Sequence, residues 1–142
     1  MPKYDLYITA DPDGRGISLV EDGSGVLLGV AGIHSLSGMV MRMLFTTKGR
    51  WPGKRSEGSI MANMVGRNMD PLSLKANLLR AVRDVETTIL QQQVNKARPL
   101  DEALDSLEVI DLTFPSVDQA KMRILIKSVS GARLINTLGI TV

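Results

Sequence analysis

The sequence predicts an α+β domain in which a short N-terminal strand hairpin precedes two main helices and a C-terminal antiparallel sheet. Apolar and polar residues alternate at both ends of the chain, whereas apolar residues recur every three or four positions in its middle. The chain has 142 residues, 44% of them hydrophobic. That length fits one domain with a substantial core, so we expect a single domain over 1–142.

The N-terminal segment predicts a hairpin followed by a further extended run. Tyr4, Leu6 and Ile8 alternate with other residues, and a second short strand is expected at 16–20. The sequence Asp-Pro-Asp-Gly at 11–14 separates the two strands and is typical of a turn. A short apolar run at 26–30 predicts a third extended segment.

Two helices are expected in the middle of the chain. The first covers 33–46, where apolar residues fall at helical spacing. Residues 47–59 contain three glycines and a proline and therefore predict a loop, and a short helix follows at 60–65. The second and longest helix covers 71–96, because Asp70 can cap it and Pro71 fits its first position.

Three strands are expected after the long helix. The segment 107–114 alternates imperfectly, which indicates a β-bulge, whereas Met122, Ile124 and Ile126 alternate regularly with charged residues. The last segment is apolar up to Val142 and lacks proline. Because an apolar edge strand promotes aggregation, such a strand is either central in its sheet or donated to a partner sheet, and we expect 133–142 to be a C-terminal strand arm of the second kind.

Composition argues against several classes of function. The chain has no cysteine and one histidine, so we expect no disulfide, metal site or cofactor. No apolar run reaches the length of a membrane span, and the first residues do not resemble a signal peptide, so we expect use in a reducing compartment. Glu57 and Glu86 could form the carboxylate pair of a muramidase. Only 4% of residues are aromatic and could stack on sugars, which makes an enzyme the least favoured class.

Charges occur in blocks along the chain. The segment 42–55 is basic and contains Trp51, 101–118 is acidic, and 121–133 is basic. Such blocks either contact charged partners or neutralise one another within the fold. The loop containing Arg50 and Trp51 could bind nucleic acid or a protein, since Trp and Arg are enriched at protein interfaces, and we favour a protein because the remaining surface is not expected to be basic.

Glu86 is expected to lie inside an apolar stripe. At about 100° per residue, its side chain falls among those of Val82, Val85 and Ile89. A carboxylate there is unfavourable unless it is paired or hydrogen-bonded. The sequence therefore predicts that Glu86 meets a basic group from elsewhere or lies in an interface, unless it reaches solvent from the edge of the stripe.

One ordered set of residues resembles a known family. Leu44, Thr46, Gly49, Pro52 and Gly58 stand at the loop spacings of the baseplate wedge and sheath-initiator family of contractile phage tails. That family also carries an older "lysozyme-like" description. A long helix with a glutamate and two strands then follow, so the resemblance covers about 26–130. Arg50 and Trp51 stand where the family has Glu-Arg, and only Glu86 remains of its Glu-Pro-Arg motif.

The resemblance implies a non-enzymatic structural role. A protein of this family links the baseplate wedge to the tail sheath and templates the first sheath ring. The expected partners are the sheath subunit, by strand addition, wedge proteins, and the tail tube or hub, with several copies in a ring and no membrane or specific nucleic acid. The expected location is the virion tail baseplate, assembled in the host cytoplasm. The alternative is a small nucleic-acid-binding protein that uses the basic stretch 42–55.

The residues expected to bind partners lie in three places. The long helix contributes Glu86. The loop contributes Thr46, Gly49, Arg50, Trp51, Pro52 and Gly58. The last strand contributes Arg133, Leu134, Leu138, Ile140 and Val142.

Overall fold

A computed structural model describes residues 5–6, 8–10, 17–19, 29–30, 32–50, 58–64 and 69–141. These residues form an α+β domain, as the sequence predicts. Within 5–30, only the residues of four short strands are described, and only by their backbone. The predicted turn at 11–14 lies outside the described residues, as do Trp51, Pro52, Glu57 and Val142.

Four short strands at the N-terminus form two small antiparallel pairs. Strand β1 (Asp5–Leu6) pairs with β4 (Gly29–Val30). Strand β2 (Ile8–Ala10) pairs with β3 (Ile17–Leu19) in the predicted hairpin. The hairpin packs on the first helix and comes near the last strand without joining its sheet.

Helix α1 (Ile33–Phe45) is the central element of the core. Its residues from Ser35 to Met41 are all buried, since the β2–β3 hairpin, the second helix and the C-terminal sheet all contact it. A 3₁₀ helix (Met61–Met64) follows, where the sequence predicts a short helix, and packs against both helices.

Helix α2 (Pro71–Asn95) begins and ends within one residue of the predicted bounds. Asp70 caps it by accepting a hydrogen bond from the Ser73 N–H at 3.0 Å. One face of the helix is buried. The side chains of that face are Leu74, Leu78, Ala81, Val82, Val85 and Ile89.

Three long antiparallel strands complete the domain in the order β5-β6-β7. They are β5 (Leu104–Ser116), β6 (Gln119–Ser128) and β7 (Arg133–Thr141). The register between β5 and β6 shifts three times, and the shift between Val109 and Asp111 is a bulge within the segment where the sequence predicts one. The helices pack on one face of this sheet. Alternate residues of β6, including Met122, Ile124 and Ile126, complete the core from that side.

Candidate strand-addition edge and loop neck

The C-terminal sheet has two edges, and they differ in how their backbone groups are satisfied. Strand β6 is central, so β5 and β7 each turn one row of N–H and C=O groups away from it. An unpaired row of this kind binds another strand readily. The two rows therefore decide where a further chain can join the sheet.

Helix α2 closes the start of the β5 edge with two side chains. The Gln93 amide bonds both backbone groups of Leu104: its Nε2 donates to the carbonyl oxygen at 3.0 Å, and its Oε1 accepts from the N–H at 2.6 Å. The Glu86 carboxylate accepts a hydrogen bond from the Leu107 N–H at 2.6 Å. We call Glu86 and Gln93 the edge clamp.

A bulge makes the edge clamp possible. Residues that turn their backbone to one side alternate along a regular strand, so Leu104 and Leu107 would face opposite ways. The register shift between Leu104 and Ser106 inserts an extra residue, and both leucines then bury their side chains and turn their backbone outward. Glu86 and Gln93 are seven residues apart, so they lie about 10 Å apart along the helix. This distance matches that between Leu104 and Leu107, which are three residues apart in the strand.

Glu86 therefore has a different partner from the one predicted. The sequence predicts a basic group, an interface or a solvent-reaching side chain, whereas the structure gives a backbone N–H of the same chain. The half-buried carboxylate serves the edge of its own sheet. No sequence pattern predicts this role for Gln93, although it stands two turns after Glu86 on the same helix face.

Strand β7 forms the second edge of the sheet, and we call it the open edge because no described strand joins it. The N–H of Leu107 points away from β6 and that of Ser128, which donates to the Ala132 carbonyl at 2.9 Å, points towards β7. Alternation from these fixed points turns the backbone of the solvent-facing residues of β7 outward. These residues are Arg133, Ile135, Thr137, Gly139 and Thr141. No described strand pairs with the side of β7 that faces away from β6.

The inner face of β7 belongs to the domain's own core, which corrects the picture of a free strand arm. Leu138 and Ile140, expected to contact a partner, are buried on the helix-facing side, and Leu134 is half-buried on that side. Buried Asn136 donates a hydrogen bond from Nδ2 to the Ser37 hydroxyl of α1. Strand β7 pairs with β6 from Arg133 to Thr141, so what it can offer a partner is its outer edge.

The solvent face of the sheet carries an ordered charge pattern. On β6, Lys121 and Arg123 are exposed and Lys127 is partly exposed, and β7 adds exposed Arg133. Acidic residues of β5 neutralise part of this row: Glu108 lies 4.0 Å from Lys127, and Asp111 is in register with Arg123. The acidic and basic blocks thus meet within the fold along β5. Along β7 no acidic residue faces the basic row.

The predicted loop emerges from a tightly built neck. The Ser59 N–H donates to the Thr46 carbonyl at 2.8 Å, and the Lys48 N–H donates to the Ser59 carbonyl at 3.3 Å. The buried Ser59 hydroxyl donates to the Leu44 carbonyl at 2.7 Å and accepts from the Met61 N–H at 3.1 Å. The two segments that flank the loop, 44–48 and 58–61, are therefore held together by hydrogen bonds. We call this junction the loop neck.

Four of the resemblance residues, Leu44, Thr46, Gly49 and Gly58, lie at the loop neck. Gly58 has φ +108°, and a Cβ on it would lie 2.7 Å from the Thr46 carbonyl oxygen and 2.8 Å from the Lys48 backbone. Gly49 has φ +85° in the turn closed by the Arg50 N–H and the Thr47 carbonyl at 3.1 Å. Lys48 and Arg50 are exposed beside the neck. Ser59 links the two flanks of the loop, a role that no sequence pattern predicts.

Comparison with known proteins adds no relative. No protein-family model matches the chain, and no curated protein or solved structure is significantly similar to it. The function is therefore argued from the geometry of this chain.

Within the described ranges, no helix is long and apolar enough to cross a membrane. The same residues contain no group of three or more histidine, aspartate or glutamate side chains placed to hold a metal ion.

Proposed function

We propose that this protein is a non-enzymatic structural component of a contractile tail baseplate that links the wedge to the sheath and templates the first sheath ring. The open edge of β7 is the observation that supports this proposal most strongly. A protein that starts a polymer must present a surface on which the next subunit can build, and an unpaired strand edge is such a surface. Several copies around the tail tube would present a ring of these edges.

The two edges give strand addition a direction. Helix α2 occupies both backbone groups of Leu104 and the N–H of Leu107, so the start of β5 is already engaged by its own chain. Strand β7 offers the outward groups of Ile135, Thr137 and Gly139. A sheath strand would therefore add at β7.

Charge complementarity indicates the chemistry of the incoming strand. Arg123, Lys121 and Arg133 lie exposed on the solvent face beside the open edge. Gly139 is in register with Lys121 and has no side chain to cover it, so a glutamate on an added strand could reach across to the ammonium group. An acidic strand fits this face, whereas a basic one would be repelled.

The loop neck supports a second contact, with the wedge. The hydrogen bonds of Ser59 hold the two flanks of the loop together, and Lys48 and Arg50 are exposed at its start. In this proposal the loop, with Thr46, Gly49, Arg50, Trp51, Pro52 and Gly58, docks on wedge proteins. Glu86 has no part in that contact, because its carboxylate is engaged at the β5 edge.

Sheath assembly on purified tubes tests the proposal. The chain is incubated with tail tubes and sheath subunits encoded in the same genome, and sheathed tubes are counted by electron microscopy. Reversing two charges beside the open edge, with Arg123→Glu and Arg133→Glu, should reduce initiation at least tenfold. Lys75→Glu with Arg80→Glu is the matched control, because it changes the net charge equally on the exposed side of α2. Initiation at the wild-type level by the edge variant would contradict the proposal.

Nucleic-acid binding is the second candidate, favoured by the exposed side chains of Lys48 and Arg50 in the basic stretch. Such binding would weaken steeply with salt, since it releases counterions from the phosphate backbone. Mobility shifts of DNA and RNA at 50 and 200 mM salt, with wild type and a Lys48→Glu, Arg50→Glu variant, distinguish the two. Salt-sensitive binding that this variant abolishes would favour the second candidate.

A further inference from the structure

We infer that the edge clamp, Glu86 and Gln93, prevents copies of this chain from joining one another head to tail, so that the domain accepts a strand at β7 only. This inference rests on the strand addition proposed above and extends it to the opposite edge. The clamp would make the protein a one-sided starting point: a partner builds on β7, and no second copy builds on β5.

The direction of the edge strands permits a second copy to join. Strands β5 and β7 are both antiparallel to β6, so they run the same way. A second copy displaced sideways without rotation would bring its β5 beside β7 of the first copy as a parallel pair. Such a repeat does not close on itself and would produce an open filament.

The solvent and helix faces of the two sheets also match in such a pair. In a parallel pair, a residue that turns its backbone towards the partner strand lies opposite one that turns its backbone away. Thr137 turns outward and faces solvent, and Glu108, in register with solvent-facing Leu125, turns inward. When Thr137 of one copy lies opposite Glu108 of the other, the solvent faces of both sheets lie on one side of the joined sheet and the helices of both copies lie on the other. The junction therefore requires no change in either domain's architecture.

The charges of the two edges also attract each other. Strand β5 is the acidic strand of the sheet and already lies against the basic row through Glu108 and Asp111. On β7 the same basic row has no acidic neighbour, so β5 of a second copy has the charge that this edge attracts. Direction, faces and charge all permit self-addition. What opposes it is the α2 clamp, which occupies both backbone groups of Leu104 and the N–H of Leu107.

The oligomeric state of clamp variants tests the inference, measured by light scattering coupled to size exclusion at several protein concentrations. Wild type and Glu86→Gln, whose amide oxygen can still accept the Leu107 N–H, should remain monomeric. Glu86→Ala combined with Gln93→Ala should form oligomers whose size grows with concentration. Adding Thr137→Pro should return this variant to a monomer, because proline removes an outward N–H from the β7 edge.

A mixing experiment separates specific addition from misfolding. In the triple variant the start of β5 is unclamped and β7 is blocked, whereas in wild type the start of β5 is clamped and β7 is open, so together they should give a one-to-one dimer. Loss of this dimer on Arg123→Glu, Arg133→Glu in the wild-type partner would confirm the charge argument. Aggregates that Thr137→Pro does not dissolve would contradict the inference.

Two further outcomes would also overturn it. One is a double variant with wild-type circular dichroism that stays monomeric at all concentrations. If the double variant does not fold, Gln93→Ala alone, which frees both backbone groups of Leu104, is carried through the same mixing experiment. A folded Gln93→Ala, Thr137→Pro chain that does not bind wild type would overturn the inference. All these measurements use this chain alone, so they can fail while sheath initiation succeeds, and the reverse.

Discussion

At Gly58 the backbone of the loop neck leaves no room for a side chain. Its φ of +108° is strained for any other residue, and a Cβ would lie 2.7 Å from the Thr46 carbonyl oxygen. Gly131, in the β6–β7 turn, also has a positive φ of +93°, yet nothing lies within 4 Å of its Cβ position. The two glycines therefore separate conformational strain from steric overlap.

We predict that Gly58→Ala destabilises the domain more than Gly131→Ala does. Conformational strain alone costs about 1–2 kcal/mol at Gly131. At Gly58 the same strain adds to an overlap with backbone atoms, which must move and weaken the hydrogen bond between Ser59 and Thr46. Urea unfolding of both variants measures the difference. Equal losses of free energy would show that the loop neck is not as closely built as described.

Asp70 gives the domain a pH-dependent helix cap. Hydrogen bonds from the Ser73 side chain and backbone hold the pKa of the Asp70 carboxyl below its ordinary value. The folded state therefore favours the charged carboxylate, and this contribution is present above the unfolded pKa of about 4. It is lost as pH falls through the lower pKa of the folded state.

We predict that Asp70→Asn makes this contribution independent of pH. Asparagine also caps helices well but does not titrate. Thermal unfolding from pH 7 to pH 2 should show that wild type loses stability relative to the variant once the pH falls below about 4. A constant difference in melting temperature across this range would mean that Asp70 does not contribute through its charge.

At the scale of elements, β7 has a structural face and an open edge. Leu138 is fully buried on the helix-facing side, whereas Ile135 on the solvent side is 47% exposed. The two residues stand in one strand and have similar volumes. Substituting each by alanine therefore tests the two roles of β7 separately.

We predict that Leu138→Ala costs about 2–5 kcal/mol of unfolding free energy, because it leaves a cavity beside α1. Ile135→Ala should cost about 1 kcal/mol or less, since its side chain is half exposed. In sheath assembly the order should be reversed at a temperature where both variants are folded, with the larger defect for Ile135→Ala. A large loss of stability for Ile135→Ala would show that the solvent face is packed by the chain itself.

Much of this architecture follows from sequence patterns. Asp70 and Pro71 predict the start of α2, and alternation around Ile124 predicts β6, because each pattern depends on neighbours along the chain. The start of β5 was not predictable in this way. A bulge after Leu104 changes the parity of the strand, so Leu104 and Leu107 break the alternation that marks a strand.

The candidate site was predicted only in part. Glu86 is conspicuous in the sequence because a charge falls in an apolar stripe, but its partner is a backbone N–H, and every residue except proline has one. Leu138 and Ile140 have the composition of partner contacts and of core residues alike. Their pairing with β6 and contact with α1 decide between these roles, and both depend on tertiary structure.

At the scale of the whole molecule, the sheet has one edge whose start is closed by a helix and one edge that no described strand joins. Helix α2 lies against β5 and satisfies the start of its outer row, while β7 exposes its outer row beside a row of basic side chains. The loop neck lies at the end of α1 and shares no residue with the open edge. This separation would let one domain hold a wedge protein and a sheath subunit at once.

Hydrogen exchange followed by NMR tests the central claim, which is that partners add at β7. In the free protein the clamped amides of Leu104 and Leu107 should exchange slowly, whereas those of Ile135, Thr137 and Gly139 should exchange fast. With the sheath subunit bound, these three amides should become protected by new backbone hydrogen bonds. If they still exchange at the free-protein rate in a complex that has formed, the sheath does not add to β7 and the account is contradicted.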